Sequence, residues 1–176
     1  MKPAELDRIP AEMWQALAAR HGAWRTPVLA SVTPEGSADA RVVVLREVSA
    51  QRRELVFFTD RRSRKHDALL ANPSACFVIY DAGAGWQVRL YGSARAETAN
   101  AETDAWWEML GEHQRAHYGN AGDDSEERNT QEGRENFAAF RVTIDRFHCL
   151  WLHDDGNEAA EFLWRDNGWR GHFVRP

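Results

Sequence analysis

The chain has 176 residues, 43% of them hydrophobic, and only two cysteines. That length suits one domain whose core needs neither disulfides nor metal. The net charge of −5 argues against general nucleic-acid binding, and no apolar run approaches the ~20 residues of a membrane-spanning helix.

The N-terminal stretch "MKPAELDRIPAEM" has no apolar signal-like core, so a cytoplasmic protein with free thiols at Cys76 and Cys149 is expected. A helix is expected over residues 10–20. Ile9, Met13, Ala16 and Leu17 fall at helical spacing, Pro10 suits the first turn, and Gly22 stops it. Period-two patterning follows. "PVLASV" and "ARVVVLREV" read as strands around a Pro-Glu-Gly turn, and "ELVFFT" as a third strand after "SAQRR". "SRKHDALLAN" reads as a helix halted at Asn72-Pro73. "SACFVIY", apolar on both faces, reads as a central strand, and "WQVRLYGSARAE" as a long alternating one. "TANAETDAWWEMLGEHQRAH" reads as one helix, and the polar residues 119–135 as a surface loop. The chain closes on "FAAFRVTIDRFHCLWL", "EAAEFLWR" and "WRGHFV", the last two joined by an Asp-Asn-Gly turn. Many short strands with few helices predict a mainly β protein, a small antiparallel barrel with peripheral helices, as a single domain over residues 1–176.

Nucleotide-loop and nucleophile-elbow motifs are missing from the sequence. His113 and His117, and the group His148, Cys149 and His153, lack the spacing of a metal site, so no metal is expected. The segment "FFTDRRSRKHD" stands out. With Ser63 as N-cap, Arg64 and Lys65 occupy the first turn of a helix, the end where the helix dipole is already positive. An anion would repair that conflict: free N–H groups, a hydroxyl and two cations make a phosphate cradle. A solvated basic turn fits the local pattern equally well. Arg61 and Arg62 read as solvated surface charges. Upstream, "RVVVLR" sets Arg41 and Arg46 on opposite faces if it is one strand. Downstream, Gln87 offers an amide that can read the polar edge of a heterocycle.

In order along the chain, Arg41–Arg46, Phe57–Lys65, Asn72-Pro73 and Gln87–Gly92 resemble the pyridoxamine 5′-phosphate oxidase-like family of FMN-binding split barrels. The resemblance covers residues 25–97 well and the final strands weakly. It implies a homodimer with FMN at the subunit interface. It also implies a phosphate held by Arg41, Ser63, Arg64 and Lys65. The backbone of Val42, Val43, Val44 and Leu45, with Phe58 and Thr59, would lie along the flavin, with Arg46 beside it and Gln87 at its polar edge. The position of Arg46 is usually Lys in the true oxidases. Those enzymes also carry an Arg-x-His segment and a following Arg near the C-terminus, where this chain has Asn157, Ala159 and Glu161. The expected function is an FMN oxidoreductase acting on an unknown small molecule, with no catalytic residue assigned. A non-catalytic flavin-binding or carrier module, and a true pyridoxamine 5′-phosphate oxidase, are the alternatives.

Overall fold

The computed structural model describes residues 6–97, 100–119, 133–154 and 156–176. Nine strands form one antiparallel sheet: β1 (Val28–Val32), β2 (Ala38–Val42), β3 (Leu45–Ser49), β4 (Glu54–Asp60), β5 (Ser74–Asp81), β6 (Trp86–Glu97), β7 (Phe137–Trp151), β8 (Glu158–Arg165) and β9 (Gly168–Val174). Their order is β2-β1-β5-β6-β7-β4-β3, and β8 and β9 branch from β7. The branch is possible because β7 has 15 residues. Residues 137–143 pair with β4, residues 146–151 pair with β8, and β6 runs along most of the strand. The result is the split barrel with peripheral helices that the strand pattern predicts.

The helices are α1 (Ile9–Ala19), α2 (Arg64–Ala71), α3 (Ala101–Glu108) and the single turn α4 (Glu112–Arg115). In α1, Ile9, Met13, Trp14 and Leu17 are buried against the barrel. It ends earlier than Gly22, with Arg20 itself in the left-handed conformation. The single helix expected after β6 is two, broken at Met109–Gly111. Asn100 and Thr103 cap α3 with reciprocal hydrogen bonds. Of the loop expected over 119–135, residues 120–132 lie outside the described residues. No helix among the described residues is long and apolar enough to cross a membrane.

One expectation is corrected. "ARVVVLREV" is two strands, interrupted at Val43 and Val44, and they lie at opposite ends of the sheet order. Between them the Val43 and Leu45 N–H groups donate to the carbonyls of Pro27 and Arg25, at 3.0 and 2.9 Å. This segment therefore ties the first edge of the sheet to the last. The parity argument for Arg41 and Arg46 fails because no continuous strand joins them.

Inside, Leu29, Phe57, Phe77, Leu90, Phe147 and their neighbours make the main core. Trp106 and Trp107 of α3 cover a second cluster with Val56 and Phe137. Six of the eight tryptophans are buried, which is the plain core role for most of them. Arg141 is buried with them and saturated by carboxylates: Glu97 at 3.0 Å, Glu54 at 3.0 Å and Glu102 at 2.6 Å. Burial works against its charge, and Glu102, Glu97 and Glu54 more than reverse that, raising its pKa. At Gly92, where the β6–β7 register shifts, a Cβ would stand 2.2 Å from the Thr143 carbonyl oxygen, so only glycine fits. The β8–β9 turn has positive φ at both Asp166 and Asn167, as a two-residue hairpin requires.

Among the described residues, no helix covers the opposite face of β2, β1 and β5 or of the adjoining parts of β6 and β7. The register aligns Val42, Val28, Val78, Arg89 and His148 across five neighbouring strands, with Tyr80, Gln87 and Leu150 in the adjacent row. Val28, Val42, Tyr80 and Leu152 are exposed. "SACFVIY" is central in the order, as expected. Its buried face is Ala75, Phe77 and Ile79, whereas Cys76, Val78 and Tyr80 face outward.

Candidate functional site

The turn after β4 builds a basic corner. Ser63 takes the N-cap position of α2 with extended backbone angles, but its hydroxyl does not cap the helix. It donates instead to the Asp60 carbonyl at 2.6 Å and lies 3.0 Å from the buried Thr59 hydroxyl. The first-turn N–H groups of Arg64 and Lys65 have no carbonyl within the helix to bond. Arg62 is not a free surface charge. It pairs with Asp60 at 2.6 Å and donates to the carbonyls of Tyr118 and Gly119 at 3.0 and 3.2 Å, so it ties the turn to the segment after α4. Arg61 is half-buried, with its Nε shielded and without a hydrogen-bond partner among the described residues.

Arg41 approaches this corner from β2. Its guanidinium donates to the Leu29 carbonyl at 3.3 Å, to the Ser31 hydroxyl at 2.8 Å and to the Asp39 carboxylate. These partners follow from the register, in which Leu29 opposes Arg41 and Ser31 opposes Asp39. Burial, then the neighbouring Arg41 charge, lower the pKa of the Lys65 ammonium, while Asp60 works in the opposite direction. Like charges set near one another repel, and a bound anion relieves that repulsion. Glu35, on the exposed β1–β2 turn, has its pKa lowered by a backbone hydrogen bond and the Thr33 hydroxyl, with a smaller contribution from Arg64. Ser63, Arg64 and Lys65 thus follow one another at the start of α2, and Arg41 on the strand edge is near enough for its charge to act on Lys65.

The other expected residues divide. Val43 and Leu45 are buried, Val44 is half-buried, and Val42 points outward. Phe58 faces away from the main core, 5.0 Å from Phe137 and 5.6 Å from Trp106 between ring centres. The Arg46 guanidinium lies over the Phe58 ring at 5.3 Å, its Nε is buried with no hydrogen-bond partner among the described residues, and the Arg46 carbonyl accepts from Arg20 at 2.6 Å. Burial pushes the nearby Tyr118 hydroxyl up to about 12, with Arg46 opposing and Asp60 reinforcing. Gln87 is not brought to this corner. It shares the open face with Val42 but stands three strands away, about 14 Å at the usual strand spacing. Sequence reasoning missed Asp39 and Ser31, the polar partners of Arg41. The i, i+2 placement of Asp39 beside an arginine on a strand is the only local signal of it.

Further along the open face, His148 opposes Arg89 and Glu161. Burial and then Arg89 lower the His148 pKa, with Glu161 opposing and Arg146 adding a little. The Glu161 carboxylate accepts from Arg146 at 3.4 Å. No group of three or more metal-ligating side chains occurs among the described residues.

A corner of two arginines, a lysine and free helix N–H groups has the donor set that a phosphate monoester requires. The comparisons with known proteins agree with the fold around it. A pyridoxine/pyridoxamine 5′-phosphate oxidase from Thermobifida fusca is 36% identical over 107 residues, which span 61% of this chain and 47% of that protein. One from Thermosynechococcus vestitus is 42% identical over 80 residues, 46% of this chain and 36% of its own length. The matches thus span less than half of either relative. Among solved structures, a pyridoxamine 5′-phosphate oxidase-related, FMN-binding protein from Nostoc punctiforme superposes with a TM-score of 0.73 at 21% identity, covering all of both chains. PhzG from Burkholderia lata, solved with tetrahydrophenazine-1-carboxylic acid, gives 0.75 at 18% identity, over 99% of this chain and 95% of that one. The sequence model of the pyridoxamine 5′-phosphate oxidase family matches residues 13–150, and the chain belongs to that family.

Proposed function

We propose that this chain is an FMN-binding oxidoreductase that acts as a cytoplasmic homodimer on a small organic molecule. The carrying observation is the run Ser63, Arg64 and Lys65 at the N-terminus of α2, within reach of the Arg41 charge. Arg41, Arg64 and Lys65 would hold the FMN phosphate, with the Ser63 hydroxyl and the first helical N–H groups completing its shell. The backbone of Val42 to Leu45, with Phe58 and Thr59, would flank the ring, and the Arg46 guanidinium would stand beside it. When bound, FMN supplies the hydride- and electron-accepting chemistry.

The uncovered face supports the dimer. Val28, Val42 and Tyr80 are exposed on neighbouring strands of one face, and a second copy of the chain would bury them. Gln87 lies on that face, so it suits a contact with the flavin of the partner protomer. Together the described elements form one continuous sheet, which supports a single domain.

The last hairpin favours a substrate without a phosphate. Asn157, Ala159 and Glu161 offer no cation there, Ala159 is buried, and Glu161 is a carboxylate bonded by Arg146. The same three residues would suit a flavin-binding module without turnover. Purified protein settles the first question. It should be yellow, or become so on adding FMN, and should elute as a dimer. A colourless protein that takes up no FMN would overturn the proposal. Reduction of the bound flavin by candidate amines or nicotinamide donors separates the enzyme from the module.

A further inference from the structure

We propose that Asp39 competes with the FMN phosphate for Arg41, so that the phosphate corner carries its own internal anion and holds the cofactor less tightly than its three cations allow. The inference rests on the FMN assignment above and concerns its regulation. Arg41 Nη2 donates to the Asp39 carboxylate, while Nη1 is engaged by Ser31 and Leu29. The guanidinium thus has a structural edge, fastened to β1, and a second edge occupied by an acid. A phosphate that takes Arg41 in the paired geometry guanidinium favours needs that second edge.

Among the described residues, β2 pairs only with β1, the Asp39 side chain is 42% exposed, and Arg41 is its one partner, so the described fold gives the carboxylate no second role. The other acids near the corner are differently placed. Asp60 is already committed to Arg62, and Glu35 sits on an exposed turn with its own hydrogen bond to Thr33. Asp39 is the carboxylate in direct contact with a cation of the clamp. Displacing it by a dianionic phosphate exchanges one ion pair for another and sets two like charges side by side. Cofactor retention would then depend on how far Asp39 can turn out to solvent, which its exposure on an edge strand permits.

The test is titration of the unliganded full chain with FMN and with riboflavin, which lacks the phosphate, followed by flavin fluorescence. Removing one partly exposed negative charge beside a phosphate should tighten FMN binding about five- to tenfold in Asp39→Asn. Riboflavin affinity should stay unchanged. Because the Asn amide oxygen can still accept from Arg41, Asp39→Ser gives the cleaner loss of contact, and it should show the same selective gain. Equal or weaker FMN binding in both variants, with melting temperatures held, would overturn the proposal and make Asp39 a residue that positions Arg41. A wild-type chain that binds riboflavin as tightly as FMN would instead remove the phosphate assignment, and the competition with it.

Discussion

Two arginine clusters in this protein solve opposite problems. Arg141 lies in the interior and meets Glu54, Glu97 and Glu102, so its charge is fully answered within the fold. Arg41 lies at a strand edge near Lys65 and contacts one carboxylate, Asp39, with Arg64 on the same corner. The first cluster is closed and can only hold elements together. The second has cations left over, and a surplus of like charge is tolerated where something else is due to neutralise it. The difference between the two clusters is the number of acids that answer each cation, and the proposed phosphate site depends on that difference.

That contrast can be broken at either end. The largest effect on stability is expected at the closed cluster. Arg141→Met takes the shared cation from three carboxylates, leaving Glu54 only Arg52 and Glu97 only Arg95 as ion-pair partners among the described residues, and should lower unfolding free energy by about 2–3 kcal/mol in urea titrations. Flavin affinity of the folded fraction should not move. At the open cluster the pattern reverses. Arg64→Ala combined with Lys65→Ala should weaken FMN binding by about 3 kcal/mol, since each charge-assisted bond contributes ~1.5–3 kcal/mol. The melting temperature without flavin should hold or rise, because repulsion is relieved. Unchanged FMN affinity in that double variant would show that the clamp lies elsewhere.

A smaller effect comes from pH. The Lys65 pKa is lowered, so the ammonium loses its proton at a lower pH than an ordinary lysine. A bound phosphate favours the charged form, so FMN binding takes up a proton in that range and weakens as pH rises through it. Lys65→Arg stays charged and should keep its affinity over the same alkaline range. Parallel curves for the two proteins would exclude Lys65 from the phosphate shell. The smallest effect is expected on the open face. The lowered His148 pKa means that the folded chain binds fewer protons there than the unfolded chain. Stability should therefore fall as pH drops through the unfolded histidine value, near ~6.5. His148→Gln should soften that acid loss by a few tenths of a kcal/mol at most, since the ring is partly solvated.

Most strands were legible because alternation and turn residues coincide. Gly36 and the Asp166-Asn167 pair mark their hairpins by side-chain chemistry alone. The break at Val43 and Val44 was not legible. Three valines and a leucine carry no turn signal, and the interruption is imposed by residues 25–27, to which that segment bonds in closing the barrel. A tertiary partner overrode a local preference. The apolar outer residues of "SACFVIY" were visible as apolar, but sequence cannot tell cover by a helix of the same chain from cover by another chain. At the site, Ser63, Arg64 and Lys65 were legible because cations at a helix start violate a local rule. Asp39 was not, because its contact with Arg41 depends on rotamers at the sheet edge. Arg62 is exposed, as expected of a surface charge, but its tie to Tyr118 was not legible because that carbonyl lies 56 residues away in sequence.

β7 has a consequence for how the molecule comes apart. One end is stitched to β4, which leads into the basic corner. The other is stitched to β8, which carries Glu161, and β6 runs beside both. Neither half of the sheet can melt without releasing amides on the strand that the other half needs. The two halves should therefore exchange their slowest hydrogens at a common rate, as one cooperative unit, and flavin bound at one end should slow exchange along the whole spine.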